Sequence, residues 1–245
     1  ETVEEYAKLG TPVIWLDDDF RLSFHAPVDY GCFCDDCIKK FNDKNGLNLN
    51  REELITAPLD DGIINGKKVR LLWQNFNREG MAELAKSVAD AVHKIDDSII
   101  IGYMQINPEM VMYEIPDYNL ITEVSKNKNG EVYYRHGSGY YSDITPHEMI
   151  EKNISIGRLC SLTKSKKYNV LNLTEEVTLP YNRRAKSMKN TILDCVLNVA
   201  FAGADGVMDE AIHTNTEEQL KKGNIVSSMH DYNDYLTVIT NLVKV

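Results

Sequence analysis

Short apolar runs, each ending in charge or amide, alternate along this chain with longer stretches of helical period. The runs are PVIWLDDD (12–19), SIIIGYMQI (98–106), EVYYRH (131–136), YNVLNLTEE (168–176) and DGVMDEA (205–211). They are continuous rather than alternating, the signature of parallel strands covered on both faces. Between them, Leu72, Trp73, Phe76, Leu84, Val88, Val92 and Ile95 mark an apolar stripe over 69–95. Met188, Ile192, Cys195, Val196 and Val199 mark another over 186–202, and Gly203 supplies a stop before the last strand. Met229, Tyr232, Leu236, Ile239 and Leu242 predict a closing amphipathic helix. Residues 43–68 read as loop-rich, so that about 28–68 forms an insertion.

Strands alternating with helices predict βαβ units and an α/β fold with a parallel sheet. Five strands do not close an eight-stranded barrel. The expectation is a single domain over 1–245, the carboxyl-terminal five or so βα units of a (β/α)8 TIM barrel. Its first strands would lie upstream of residue 1, because the chain opens on Glu1 directly into a helix-like ETVEEYAKLG.

Composition narrows the function classes. The chain has 245 residues, 43% of them hydrophobic, and a formal net charge of -10. That charge argues against nucleic acid as the main partner, since binding phosphates needs clustered Lys and Arg. No apolar run reaches the roughly 18 residues of a membrane helix. Cysteine number is odd at five, and three are crowded together. This favours reduced, cytoplasmic thiols with a metal role over a secreted disulfide framework.

The polar ends of the strands carry the candidate chemistry. Asp17, Asp18 and Asp19 end the first, Gln105 the second, Arg135 and His136 the third, Glu175 and Glu176 the fourth, Asp209 and Glu210 the fifth. Parallel α/β folds place ligands at the carboxyl ends of their strands. Two carboxylates across one rim suit glycoside hydrolysis, one as proton donor and the other as nucleophile or base. The lesser alternative is that the aspartate run holds a divalent cation through oxygen ligands, as in a metal-dependent hydrolase. A non-catalytic carbohydrate-binding barrel is the third possibility.

The segments WLDDDFRL, GCFCDDCIKKFN, RHGSGYYSD, LTEEVTLPYNRRAKS and GADGVMDE resemble, in that order, an uncharacterised branch of the clan A glycoside hydrolases. These are (β/α)8 barrels related to the family 42 β-galactosidases, and the resemblance spans about residues 12–210. It implies a retaining glycosidase whose acid/base sits on the first matched strand and whose nucleophile sits on the LTEEV strand. Asp18-Asp19-Phe20 stands where the family has Asn-Glu-aromatic, so Asp19 takes the acid/base position, with Asp18 as alternate. Asp is one methylene shorter than Glu, a departure from the family pattern.

The motif places the nucleophile at Glu175. Strand alternation points elsewhere: if Leu171 and Leu173 face the helices, Glu176 points inward. Glu176 therefore stands as the alternate. Asp17, Arg21, Tyr103, Gln105, Arg135, Tyr140, Asp209 and Glu210 are the expected substrate contacts, with Trp15 and Tyr141 as further stacking candidates. Gly137 and Gly139 would let backbone turn tightly against a ligand. Related enzymes often self-associate, which leaves a homo-oligomer open; neither membrane nor nucleic acid is an expected partner.

Relatives in family 42 hold a structural zinc with this cysteine spacing plus one upstream Cys. By resemblance, Cys32, Cys34 and Cys37 are three zinc ligands, with His25 or an upstream Cys as the fourth. Closed zinc sites take four thiolate or imidazole ligands, which suits this set. The alternatives are free structural thiols left from a lost metal site and, behind that, a Cys-x-x-Cys redox or disulfide role for Cys34 and Cys37. Cys160 and Cys195 lie in apolar stretches and read as core, His93 as a structural helix residue, and the glycosylation triplet at Asn172 falls in a core strand.

Overall fold

The computed structural model describes residues 2–17, 20–22, 31–59, 62–64, 67–106, 116–137, 140–176, 186–209, 237 and 241. In chain order the elements are α1 (Thr2–Lys8), β1 (Val13–Leu16), α2 (Asp35–Asn45), α3 (Arg51–Leu59), β2 (Ile63–Ile64), β3 (Lys67–Lys68) and α4 (Val69–His93). There follow β4 (Ile100–Gln105), α5 (Tyr118–Ser125), β5 (Glu131–His136), α6 (Glu148–Thr163), β6 (Asn169–Glu176), α7 (Met188–Ala200) and β7 (Gly206–Asp209). A five-stranded parallel sheet runs in the order β1-β4-β5-β6-β7, and β2 and β3 make a separate antiparallel ribbon. Strand order thus follows chain order without the reversal of a doubly wound sheet. The arrangement is the expected α/β fold and is compatible with a segment of a barrel. Of the closing helix expected over 229–242, residues 237 and 241 alone are described, and both are helical. Among the described residues no helix is long and apolar enough to cross a membrane.

The chain divides into two compact units, 1–101 with 108–130 and 102–107 with 131–245. In the first, the stretch expected to be loop-rich, 43–68, contains the end of α2, all of α3 and the ribbon. Asn50 accepts from the N–H of Glu53 at 3.0 Å, and Glu53 accepts in return from the N–H of Asn50 at 2.9 Å. That reciprocal capping box nucleates α3. Periodicity does not reveal this helix, because Leu54, Ile55 and Ala57 do not share one face. Gly46 ends α2 in the left-handed region at φ 64°, a conformation that needs no side-chain clearance there. Asn42 then clamps Leu49, donating to its carbonyl at 2.8 Å and accepting from its N–H at 3.0 Å.

These turns bring Ile38, Phe41, Leu49 and Leu54 against Val69 and Trp73 of α4. Trp73 is stacked on Phe33 with ring centres 4.8 Å apart and on Phe76 at 5.5 Å, and Phe41 meets its edge at 5.3 Å. Helix α4 matches the expected span closely, yet its buried face differs from the expected stripe. Ala82, Ala85 and Ala89 are buried, while Leu84 is 50% exposed. A face lined with alanines packs neighbours closely and carries little hydrophobic signal by size.

In the second unit, strand alternation sorts the side chains onto two faces. Tyr134 and His136 of β5 are in register with Asn172 and Thr174 of β6. All four are buried, as is Glu176. This face meets α6 and α7: Asn172 Oδ1 lies 2.5 Å from Thr163 Oγ1 and 2.9 Å from His136 Nε2. Tyr103 of β4 joins it, stacked on Tyr134 at 5.6 Å. Tyr133, Arg135, Leu171, Leu173 and Glu175 occupy the other face. Leu171 and Leu173 therefore do not face the helices, which inverts the premise that favoured Glu176. Polar groups on the helix side explain why: Asn172 and Glu176 find hydrogen-bond partners there, and the leucines take the opposite face.

Burial pushes the pKa of His136 down from 6.5 to about 4; the Asn172 bond opposes this shift and the Arg135 charge adds to it. An unfolded chain would bind a proton near the ordinary value, whereas the folded chain resists until about 4. The stability this contributes is fully present above pH 6.5 and is lost as pH falls toward 4. Urea unfolding at pH 7 and pH 5 is expected to show the wild type losing about 2 kcal/mol more than His136→Gln on acidification. Equal losses would remove His136 as the titrating group.

Candidate active site and thiol cluster

Glu175 is the penultimate residue of β6 and ends at the carboxyl side of the parallel sheet. Arg135, on the neighbouring strand β5, donates from Nη1 to Glu175 Oε1 at 2.7 Å. Tyr141, in the segment after β5, donates its hydroxyl to Oε2 at 2.9 Å. Each carboxylate oxygen thus accepts one bond from a different donor, which fixes the plane of the group. Its side chain retains 16% exposure, against 6% for Arg135. Charge-assisted bonds of this kind are the stronger class.

Gly137 explains how the segment after β5 comes so close. Its N–H donates to the carbonyl of Gln105 at 2.6 Å. A Cβ at this position would lie 2.6 Å from that carbonyl oxygen, 3.1 Å from Arg135 Nη1 and 3.3 Å from Glu175 Oε2. Only glycine fits beside the pair.

Glu176 lies in the opposite environment. It accepts from Lys152 at 2.8 Å on Oε1 and from Lys186 at 2.7 Å on Oε2. Asp194 Oδ2 accepts from the same two lysines, at 2.8 Å each. All four side chains are 0–1% exposed. Asn198 donates to Glu176 Oε1 at 3.1 Å and to Asp194 Oδ1 at 3.2 Å. Burial pushes the Glu176 carboxyl above its usual range, against the pull of both lysines. For Lys152, burial works against the charge, but Glu176 and Asp194 outweigh it and its pKa rises. Two cations balance two anions, and no face of Glu176 is open to a substrate.

Other expected contacts are placed as follows. Tyr103 and Tyr140 are fully buried. Tyr103 belongs to the helix-facing core, away from Glu175, and the ring of Tyr140 lies under Lys186 Nζ at 4.5 Å. Neither ring is free to stack on a sugar, which corrects both assignments. Gln105 is half-buried and shares the register row of His136, on the face opposite Arg135. Asp17 is exposed and Arg21 half-buried, both in the first unit. Asp209 closes β7 in register with Glu176. Asp18, Asp19, Glu210, Gly139 and His25 lie outside the described residues, as does the side chain of Asp209. His93 bonds the carbonyl of Ile99 at 3.0 Å, a structural contact. A groove of about 790 Å³ between α6 and α7, lined by Ile150, Ile154, Gly157, Leu197 and Phe201 among others, has no acidic side chain or histidine among its described lining residues.

Sequence reasoning missed Lys152 and Asp194, which lie mid-helix with no local mark. Lys186 lies inside the LTEEV-to-KS segment with no role implied by the motif. Tyr141 reads from sequence as a stacking candidate, and nothing local marks it as a donor to Glu175.

In the first unit, the sulfurs of Cys32, Cys34 and Cys37 lie within 4.8 Å of one another. Cys34 caps the amino end of α2 and Cys37 falls in its first turn. Phe33, between two of the cysteines, is held by its stack on Trp73. The backbone N–H of Cys37, followed by the thiols of Cys32 and Cys37, draws the Cys34 thiol below its ordinary pKa. Burial, reinforced by the Cys34 and Cys32 thiols, pushes Cys37 up to about 12. Three sulfurs on one tetrahedral zinc would sit about 3.8 Å apart, from Zn–S bonds of about 2.3 Å. The donor set and spacing fit, and the cluster could hold a metal ion. None of the five cysteines is in a disulfide, and Cys160 and Cys195 are buried elsewhere.

No family model matches the chain, and no curated protein matches it.

Gly137→Ala is expected to destabilise by about 2 kcal/mol, because a backbone carbonyl must shift. Gly80→Ala, with nothing within 4 Å of its added carbon, is expected to stabilise α4 by about 0.5–1 kcal/mol. Urea unfolding of the two variants checks both signs.

Proposed function

We propose that this protein is a retaining glycosidase in which Glu175 is the nucleophile. The observation that carries the proposal is the contrast at the end of β6. Glu175 is partly exposed and oriented at both oxygens, while its neighbour Glu176 is sealed and neutralised. A nucleophilic carboxylate needs an aimed, accessible oxygen. Arg135 and Tyr141 supply the aim, and their bonds can weaken or shift as the oxygen gives its electron pair to the anomeric carbon. The position at the carboxyl end of a parallel strand supports the same role. Asp19, from the resemblance to clan A, is the proposed proton donor, with Asp17 and Asp209 beside the sugar.

The likeness in sequence also carries the metal proposal. Cys32, Cys34 and Cys37 are three ligands of a structural zinc, with His25 or an upstream Cys as the fourth. Such a metal would lock the loop ahead of α2 and take no part in the chemistry.

Glu175→Gln is expected to lower kcat on aryl glycosides by at least about a thousandfold while the fold is retained. Glu176→Gln leaves a buried lysine short of an anion and is expected to cost about 3 kcal/mol or more of stability. A folded Glu175→Gln with wild-type turnover would end the nucleophile assignment. Activity abolished by a chelator from a protein that stays folded would favour a metal-dependent hydrolase instead.

Elemental analysis is expected to find about one zinc per chain, lost in Cys34→Ser/Cys37→Ser together with several degrees of melting temperature. Zinc-free wild-type protein that also fails to take up added zinc would overturn the metal assignment.

A further inference from the structure

Lys152, Glu176, Lys186 and Asp194 form a closed ring: each lysine bridges both acids, and each acid bridges both lysines. We propose that this ring is a positioning device for Glu175, with Lys152 holding the strand end and Lys186 holding the segment that presents Tyr141. The proposal rests on the reading of Glu175 as the reacting carboxylate, and its test includes a readout that needs no turnover.

Two connections carry it. Lys152 has three N–H donors, and they go to Glu176 Oε1, Asp194 Oδ2 and, at 2.6 Å, the main-chain oxygen of Glu175. The ammonium therefore grips the backbone of the residue whose carboxylate points to the opposite face. The second connection runs through Lys186, whose Nζ sits over the ring of Tyr140. The next residue, Tyr141, is the hydroxyl donor to Glu175 Oε2. Asp143 fastens the same segment to the start of α7, accepting from the N–H of Ser187 at 3.0 Å and from Asn190 at 2.9 Å. Ser187 directly follows Lys186. Both the carboxylate's own backbone and one of its two donors are thus tied to a single buried unit.

Stability alone does not account for the ring. Desolvating four charges is costly, and well-packed apolar side chains often replace buried ion pairs without loss. An apolar side chain cannot donate to the Glu175 carbonyl.

The test uses Lys152→Met and the charge-balanced pair Lys152→Met/Asp194→Leu, which leaves Lys186 with Glu176. The pair is expected to regain the stability lost in the single variant. Its kcat on aryl glycosides should stay about a hundredfold down, with KM within about twofold, the size of effect that a misplacement near 1 Å produces. The NMR signal of the Arg135 guanidinium, sharp while it is bonded to Glu175, should broaden or move. A folded pair with wild-type kcat and an unchanged Arg135 signal would overturn the proposal and leave the ring a purely structural element. If the pair does not fold, Tyr140→Leu, which removes the ring under Lys186 Nζ and no charge, decides by the same signal: movement supports the proposal and no change overturns it. If the wild type cleaves no glycoside, that failure belongs to the glycosidase reading, and the Arg135 signal alone decides the positioning role.

Discussion

Successive side chains of a β-strand point to opposite faces, and at the end of β6 this separates two adjacent glutamates into different chemical worlds. Glu176 turns toward α6 and α7, where its charge survives only because two lysines and an asparagine meet it. Glu175 turns the other way and meets an arginine and a tyrosine with part of its surface open. Which face is which decides the candidate chemistry. Parallel register then places Arg135, which pairs across β5 and β6 with Leu173, two residues short of Glu175 on the same side.

Much of the architecture was legible in the sequence. Continuous apolar runs marked the five strands of the parallel sheet, and β5 matches its expected span of 131–136. Helices α4 and α7 followed from their period and, for α7, from the stop at Gly203, which adopts φ 78°. The insertion was less legible for physical reasons. Helix α3 is started by the Asn50–Glu53 box rather than by an apolar stripe, so periodicity was silent there. On α4 the buried face runs through alanines, and a search for large apolar residues selects the exposed Leu84 instead.

The site was legible in part. Arg135 and Glu175 were visible as strand-end residues, and the structure joins them by a hydrogen bond. Alternation argued the other way only because Leu171 and Leu173 were assigned to the helix side by their apolarity. The helix side of this sheet is in fact rich in buried polar groups, so hydrophobicity was a poor guide to facing. Tyr103 and Tyr140 illustrate the same limit: an aromatic near a strand end serves packing as readily as binding. Lys152 and Asp194 were invisible because a buried charge is defined by partners 24 and 42 residues away in sequence. The thiol cluster was visible from spacing alone; its support by Phe33 on Trp73 required the fold.

Replacing the proposed nucleophile by a smaller group and supplying an external one tests the central claim most directly. Glu175→Ala should be nearly inactive on an aryl glycoside with a good leaving group. Added azide should restore turnover and yield a glycosyl azide of inverted anomeric configuration, since azide fills the space and the role of the missing carboxylate. A folded Glu175→Ala protein that azide does not rescue, or one that cleaves the substrate as fast as the wild type, would contradict the assignment of Glu175.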